Sequence, residues 1–218
     1  MGEELTPSLV LAGYTFGVFP MARDRDDPQV HFVEPEIRGI IPLDAFHVPR
    51  RLRRLVRRGT FDIRTDTAFT KVIDLCAAPT EARPETWINS AIRNAYLALV
   101  PSGHLHTVEA WDGDRLVGGL YGVALGGVFF GESMFSRADN ASKVALVHLV
   151  ARLRAGGFLL LDCQWRTDHL HQFGCVEIAQ DRFKSLLRDA LRVHADFNRH
   201  SAVATELDRI LRPGPPTA

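Results

Sequence analysis

The sequence has no net charge, few cysteines and no long hydrophobic run. Its 26 basic residues balance 26 acidic ones, so overall charge does not indicate a partner, and only local clusters can. No apolar stretch approaches the roughly twenty residues of a transmembrane helix, and no charged-then-apolar leader opens the chain. The three cysteines are an odd and small number, most simply explained as buried, reduced thiols. We therefore expect a soluble cytoplasmic protein.

The sequence does contain enough apolar material for a sizeable core, with 46% hydrophobic residues in a chain of 218. Helical and strand-like patterns both occur, which predicts a mixed α/β (α+β) protein. We predict a small N-terminal domain over residues 1–60, a larger domain over residues 61–212 and a frayed Pro-rich tail over residues 213–218.

The stretch from Leu116 to Gln164 carries the clearest pattern in the chain. Two apolar, strand-like runs flank Gly126-Gly127, which predicts a β-hairpin. A polar loop follows, and then apolar residues recur at helical spacing until Gly156-Gly157 ends the helix. The run from Phe158 to Cys163 is almost wholly apolar, as is typical of a buried central strand.

Three polar residues, Glu132, Asp162 and Gln164, lie inside this apolar frame. Because a strand alternates its faces, the side chains of Asp162 and Gln164 should point the same way. A carboxylate in apolar surroundings is costly unless it is paired. Each residue alone could be a structural group bonded to backbone amides, but three such groups on neighbouring strands favour a functional site.

The segment from Pro49 to Arg58 predicts an amphipathic helix with one apolar face and an otherwise basic surface. No acidic residue is present to pair with its arginines, which repel one another within the helix. A charge run is often only a solvated face, but this one favours contact with nucleic acid. The residues predicted to contact nucleic acid are Arg50, Arg51, Arg53, Arg54, Arg57 and Arg58.

Two groups of residues have side chains that can bind metal. They are His104-x-His106, and His169-x-His171 with Cys175. Neither has the paired short spacings of a zinc site, and the two histidines of a helical His-x-His do not face one ion. We expect no metal.

The motifs of the central stretch resemble those of leucyl/phenylalanyl-tRNA–protein transferases. The resemblance runs from roughly Leu5 to Leu187 and keeps the family's order and spacing. The matching motifs are TWI (86–88), GHLHTVE (103–109), GGLYG (118–122), FGESMFS (130–136), NASK (140–143) and DCQ (162–164).

This resemblance implies an acetyltransferase-like (GNAT) mixed sheet with flanking helices. It also implies an enzyme that transfers Leu, Phe or Met from aminoacyl-tRNA to an N-terminal Arg or Lys of a protein, which tags the protein for proteolysis. Asp162, Gln164 and Glu132 are then the expected catalytic residues, and Trp87 is expected to contact the adenosine. The expected aminoacyl pocket consists of Leu120, Phe129, Gly131, Leu146 and Leu149.

The chain departs from the family pattern at two places. Met21 replaces a tryptophan in GVFPM, and Phe32-Val33 replaces a paired tryptophan ahead of Pro35. Any contact that those tryptophans make with the tRNA end would be altered here.

Two other functions compete with this prediction. An acyl-CoA N-acyltransferase of the same fold would need a Gly-rich pyrophosphate loop, but the corresponding loop, Ser136–Lys143, has no glycine and contains Asp139. We therefore expect no coenzyme A or other cofactor. A non-catalytic RNA-binding module would use only the arginine helix, and would leave Glu132, Asp162 and Gln164 unexplained.

Overall fold

The computed structural model describes residues 5–81 and 84–212, so the predicted tail lies outside the described residues. Its strands are β1 (Phe19–Met21), β2 (His31–Val33), β3 (Ile37–Ile41), β4 (Asp62–Thr65), β5 (Leu105–Asp112), β6 (Arg115–Leu125), β7 (Val128–Ser136), β8 (Leu160–Gln164) and β9 (Val176–Ala179). Its helices are α1 (Pro7–Phe16), α2 (Arg50–Arg57), α3 (Phe69–Ala77), α4 (Ser90–Leu97), α5 (Ala141–Gly156), α6 (Asp168–His171), α7 (Gln180–Leu191) and α8 (Val203–Ile210).

The protein is a mixed α/β structure built on a seven-stranded sheet of order β4-β5-β6-β7-β8-β3-β9. Adjacent strands in this sheet are antiparallel, except that β7 and β8 are parallel and are joined through α5. Strands β1 and β2 form a separate two-stranded sheet. No helix in the described ranges is both long and apolar enough to cross a membrane.

The predicted central hairpin, helix and strand are confirmed. Gly126 has φ +58°, as the tight turn between β6 and β7 requires. Gly157 ends α5 with φ +80°. Helix α4 begins at Ser90, because the Asn89 side chain accepts a hydrogen bond from the amide of Ile92 and caps the helix. Helix α8 was not predicted.

Strand β3 joins the N-terminal part of the chain to the main sheet. It is hydrogen-bonded to β8 on one side and to β9 on the other. The predicted domain boundary at residue 60 stays a prediction. The residues before it contribute β3, which is the second strand from the β9 edge of the sheet.

Helices cover both faces of the sheet, and the strands supply both cores by alternation. One core takes Phe130 of β7 and Leu160 of β8, with residues of α1, α3, α4 and α7. The other takes the adjacent Phe129 and Leu161, with residues of α2, α5 and α8. Both faces of the central strands are therefore buried, which explains why β8 begins with two consecutive apolar residues, Leu160 and Leu161.

The β7–β8 ladder is short. Its last pair is Phe130 and Asp162, after which β7 continues beside β6 alone. Strand β8 also ends irregularly, because its register with β3 shifts between Gly39 and Ile40. Gln164 has φ +57°, and the amide of Trp165 donates to the carbonyl oxygen of Cys163 at 2.6 Å. This three-residue turn leaves a gap between β7 and β8.

The turn at Gln164 lies directly over Gly39. A Cβ atom on Gly39 would lie 2.6 Å from the Trp165 carbonyl carbon and 2.7 Å from the Arg166 nitrogen. Gly39→Ala should therefore destabilise the protein by about 1–3 kcal/mol through overpacking, and should displace the turn. Urea unfolding measures the first effect, and the NMR resonance of the Trp165 indole reports the second.

Gly59→Ala is the matched control. Gly59 has φ +61°, but its Cβ would meet no atom within 4 Å. This variant should show the backbone cost of a left-handed alanine and leave the Trp165 resonance in place. An unshifted Trp165 resonance in Gly39→Ala would contradict the tight contact.

Candidate active site

A cavity of about 880 Å³ opens where β7 and β8 separate. It brings together most of the residues that the sequence predicts for the site. Those lining it are Trp87, Leu120, Gly131, Glu132, Leu146, Leu149, Asp162 and Gln164.

Phe129 was also predicted to line the aminoacyl pocket, but it does not line this cavity. It is paired with Leu161, one step before the β7–β8 ladder ends, so the sheet is still closed at that point. Its ring is fully buried and stacks on Phe197 with centroids 5.8 Å apart. Phe129 therefore supports the cavity from the core and does not line it.

Glu132 stands at the polar centre of the cavity. Its Oε1 accepts a hydrogen bond from the Tyr14 hydroxyl and its Oε2 accepts one from the Tyr96 hydroxyl, each at 2.6 Å. The Gln164 amide nitrogen donates to Oε1 at 3.2 Å. Glu132 and Gln164 thus face each other across the gap between the two strands, as their positions in the sequence predict.

Burial raises the pKa of Glu132 from 4.5 to about 7, although the two tyrosine hydrogen bonds oppose the rise. The geometry gives an independent reason for a bound proton. The two tyrosine oxygens are also 2.7 Å apart, so the three groups form a closed set of three oxygen–oxygen contacts. With both hydroxyls donating to Glu132, no proton is left for the contact between the two tyrosines. When Glu132 is protonated and donates to one tyrosine, that tyrosine can donate to the other, and all three contacts are filled.

Asp162 is held differently, in a buried pair with Arg38. Its two oxygens accept hydrogen bonds from Arg38 Nε at 2.8 Å and Nη2 at 2.7 Å, and both side chains are at most 1% exposed. Oδ1 also accepts from the backbone amide of Gln164 at 3.0 Å. The pair therefore fixes the turn that carries the Gln164 side chain.

Arg38 has further partners of its own. Its Nη1 donates to the carbonyl oxygen of Gly17 at 3.0 Å, at the C-terminal end of α1. The guanidinium lies 4.8 Å from the Phe19 ring centroid and 4.5 Å from that of Phe183. All parts of the guanidinium are thus paired or covered by aromatic rings.

The sequence interpretation missed Arg38, Tyr14 and Tyr96. Arg38 had a detectable signal, because a lone arginine in an extended, apolar run needs an acidic partner when it is buried. Tyr14 and Tyr96 occupy apolar faces of α1 and α4, where a tyrosine is as suitable for packing as for hydrogen bonding. Nothing in their local sequence distinguishes the two roles.

The remaining wall of the cavity is mostly apolar. Leu120 comes from β6, and Leu146 and Leu149 come from consecutive turns of α5. Trp87 is half-buried just before α4, and Met21 lies at the end of β1. Phe32, which replaces one of the expected tryptophans, instead covers α1, since a Cβ on Gly13 would lie 2.5 Å from its ring.

Helix α2 has the two faces that were predicted. Leu52 and Val56 are buried against the core that contains α5, while five of the six arginines are exposed and Arg53 is half-buried. Arg53 donates to the carbonyl oxygen of Val48, and Arg57 donates to that of Leu211. Within residues 5–81 and 84–212, none of the six makes an ion pair.

The two histidines of the first group, His104 and His106, have polar partners within the protein. His104 Nδ1 lies 2.8 Å from the Ala124 carbonyl oxygen, and His106 Nδ1 lies 2.8 Å from Asp66 Oδ2. Among the described residues, no three histidine, cysteine or acidic side chains are grouped as metal ligands.

Two protein-family models match the chain. One is described as leucyl/phenylalanyl-tRNA protein transferase and covers residues 40–188. The other is described as the N-terminal domain of the same proteins and covers residues 3–36.

Individual proteins with the name leucyl/phenylalanyl-tRNA–protein transferase are also similar over most of their length. The protein of Hyphomonas neptunium is 57% identical over 198 residues, which is 91% of this chain and 77% of that protein. The protein of Paramagnetospirillum magneticum is 56% identical over 203 residues, 93% of this chain and 97% of that protein. The protein of Rhodospirillum rubrum is 54% identical over 193 residues, 88% of this chain and 91% of that protein.

The raised pKa of Glu132 predicts a pH-dependent stability. Between pH 4.5 and about 7, the folded protein keeps a proton on Glu132 that the unfolded chain has released. This contribution to the free energy of unfolding is fully present below pH 4.5 and is lost as pH rises through about 7. Relative to Glu132→Gln, which cannot titrate, the wild type should lose up to about 3 kcal/mol over this interval.

Urea unfolding of both proteins at a series of pH values measures the difference, because other titrating groups are common to both. Parallel stability curves for wild type and Glu132→Gln would show that Glu132 releases its proton at the same pH in the folded and unfolded chain.

Proposed function

The chain belongs to the leucyl/phenylalanyl-tRNA protein transferase family and is an aminoacyltransferase, and from this premise we propose that it transfers Leu, Phe or Met from aminoacyl-tRNA to an N-terminal Arg or Lys of acceptor proteins. The new peptide bond extends the acceptor by one apolar residue and marks it for proteolysis. The observation that carries this proposal is the cavity itself, which has an apolar wall next to the Glu132–Gln164 contact.

The apolar wall receives the transferred side chain. Leu120, Leu146 and Leu149 present methyl groups from two elements, and Gly131 adds no side chain to the lining. An apolar pocket distinguishes similar side chains weakly, by about 1–3 kcal/mol per methylene. It therefore accepts Leu, Met and Phe together and rejects charged side chains, which would lose their hydration without a partner.

The reaction is the aminolysis of an ester. The acceptor's α-amine attacks the carbonyl carbon that joins the amino acid to the terminal ribose, the carbonyl oxygen becomes an oxyanion, and the ribose oxygen leaves with a proton. The attacking amine must be neutral. The Gln164 side-chain amide, which meets Glu132 at 3.2 Å, can donate to the oxyanion. Because the ester is already activated, positioning accounts for much of the rate.

Glu132 binds an α-amino group at the centre of the site. In its ionised form its carboxylate attracts the ammonium group of the bound amino acid, and its pKa of about 7 allows it to exchange a proton near neutral pH. Tyr14 and Tyr96 hold the carboxylate in place through short hydrogen bonds.

Asp162 orients the site. Both of its oxygens accept charge-assisted hydrogen bonds from Arg38, and one also accepts from the Gln164 amide. Its side chain is fully buried, so an incoming amine cannot reach it without displacing Arg38. These contacts favour a positioning role for Asp162 over direct proton transfer.

The tRNA contacts are distributed over two places. Trp87 lines the cavity at the start of α4, where its half-exposed ring can stack on the terminal adenine. The exposed arginines of α2 contact the phosphates of the acceptor stem. The enzyme accepts several tRNAs, and phosphate contacts suit this because they do not read sequence.

The acetyltransferase-like description of the sheet is part of this proposal. Its support is the parallel β7–α5–β8 unit in an otherwise antiparallel sheet, with the cavity at the point where the two strands separate. The loop between β7 and α5 has no glycine between Ser136 and Lys143, and therefore does not suit the pyrophosphate of coenzyme A.

One assay tests the proposed function. The protein is incubated with leucyl-, methionyl-, phenylalanyl-, lysyl- or aspartyl-tRNA and a peptide that begins with Arg, and the product is weighed by mass spectrometry. The first three tRNAs should each add one residue, and the last two should add none. Equal transfer of Lys or Asp would contradict the apolar pocket, and RNA binding without any transfer would favour a non-catalytic RNA-binding module.

Asp162→Asn separates positioning from proton transfer. The variant leaves Arg38 as a buried, unpaired charge, so we expect a stability loss of about 3–5 kcal/mol. The transfer rate of the folded fraction should fall only several-fold and keep the wild-type dependence on pH. A fall of roughly 10²–10⁴ with folding and tRNA binding intact would assign proton transfer to Asp162.

Replacing Arg51, Arg54 and Arg58 by Gln tests the arginine helix without removing the hydrogen bonds of Arg53 and Arg57. Each lost phosphate contact should reduce the slope of log K against log salt by about 0.9 on duplex-like RNA. Binding of all accepted tRNAs should weaken alike, while transfer from a minimal aminoacyl-adenosine should persist.

The matched control replaces three exposed arginines of the α7 region, Arg182, Arg188 and Arg192, by Gln. It removes the same charge from a different surface and should leave the salt slope unchanged. Equal effects of the two triple variants would mean that α2 contributes only to overall charge.

A further inference from the structure

Strand β8 and the segment just before β9 each carry a thiol that the proposed reaction does not use. Cys163 and Cys175 are both reduced, and their sulfur atoms are 3.5 Å apart. Cys163 lies between Asp162 and Gln164 and lines the cavity, and Cys175 lies just before β9. The two cysteines therefore flank β3 from opposite sides.

We infer that Cys163 and Cys175 form an oxidisable pair, and that a disulfide between them stops aminoacyl transfer by displacing Gln164. The inference goes beyond the proposed function, because it assigns a modification site and a way of switching the enzyme off.

The cavity admits the oxidant. Cys163 is partly exposed there, whereas Cys175 is buried. A small hydroperoxide, ROOH, oxidises the Cys163 thiol to a sulfenic acid and leaves as the alcohol ROH. The Cys175 sulfur then attacks the Cys163 sulfur, the S–S bond forms, and the sulfenic oxygen leaves as water with the Cys175 proton.

Cys175 is suited to the second step. The hydrogen bond between the two thiols lowers the pKa of Cys175 and raises the pKa of Cys163, so the oxidation of Cys163 depends on its exposure to the cavity. The positive charge of Arg166 also lowers the pKa of Cys175. A lower pKa increases the fraction of thiolate, which is the attacking form.

Forming the bond draws the two segments towards each other. The sulfur atoms are 3.5 Å apart and a disulfide needs about 2.05 Å, while the two segments lie on opposite sides of β3. Both segments are irregular and can shift: β8 has its register shift beside Cys163, and Gly174, next to Cys175, has φ +86°. Gln164 follows Cys163 in the strained turn, and a displacement of about 1 Å at a reacting group can lower a rate by about 10².

The test treats the purified enzyme with hydrogen peroxide, blocks the remaining thiols under denaturing conditions and identifies the peptides by mass spectrometry. We expect a cross-linked Cys163–Cys175 peptide lighter by two hydrogens, a fall in transfer of about 10²-fold and recovery with dithiothreitol. Cys76→Ala, which removes the third thiol, in α3, should respond to peroxide and dithiothreitol as the wild type does.

Cys175→Ser is the decisive variant. Its transfer rate after peroxide treatment is compared with the rate of the same variant without treatment. It retains the exposed thiol but cannot form the disulfide, so its oxidation stops at a sulfenic acid, which arsenite reduces. Any loss of transfer in this variant should therefore be reversed by arsenite, whereas the loss in the wild type should resist arsenite and be reversed by dithiothreitol. The inference is overturned if the cross-linked peptide does not form, if it forms while transfer continues, or if arsenite alone restores the oxidised wild type. The untreated rate and the cross-link are read separately, so an enzyme without transfer activity would count against the proposed function alone.

Discussion

The buried pair of Arg38 and Asp162 is the interaction on which the rest of the structure depends. Neither charge can be buried alone without a large penalty, so each requires the other. Together they join β3 to β8, and Arg38 also holds the end of α1 through the Gly17 carbonyl. The Gln164 amide completes the set by donating to Asp162. This ion pair thereby attaches β3 and the end of α1 to β8, and it orients the turn at the end of β8.

The cavity follows from how the sheet ends beside this pair. The β7–β8 ladder stops at Phe130 and Asp162, so the next residues of each strand have no partner across the gap. Glu132 and Gln164 fill that gap with a hydrogen bond to each other. Burial raises the pKa of Glu132 to about 7, and the residue still lines the cavity. The same opening partly exposes Cys163.

Much of the fold was predictable because it depends on local periodicity. The β6–β7 hairpin, α5 and β8 formed where the apolar spacing and the glycine pairs placed them. The shared face of Asp162 and Gln164 followed from strand alternation. Phe129 was misplaced in the aminoacyl pocket, because alternation gives its face but not the residue at which the sheet opens. Helix α8 has no strong signal of its own and depends on packing against α5 and its neighbours.

The sequence by itself determined the family, the main elements and the arginine-rich helix, since each of these is written in neighbouring residues and their spacing. Only the tertiary structure decided which distant groups meet. Arg38 is 124 residues from Asp162, and Tyr14 is 118 residues from Glu132. Such contacts depend on strand order and on where a ladder ends. Local spacing contains neither, because both result from how the whole chain buries its apolar faces.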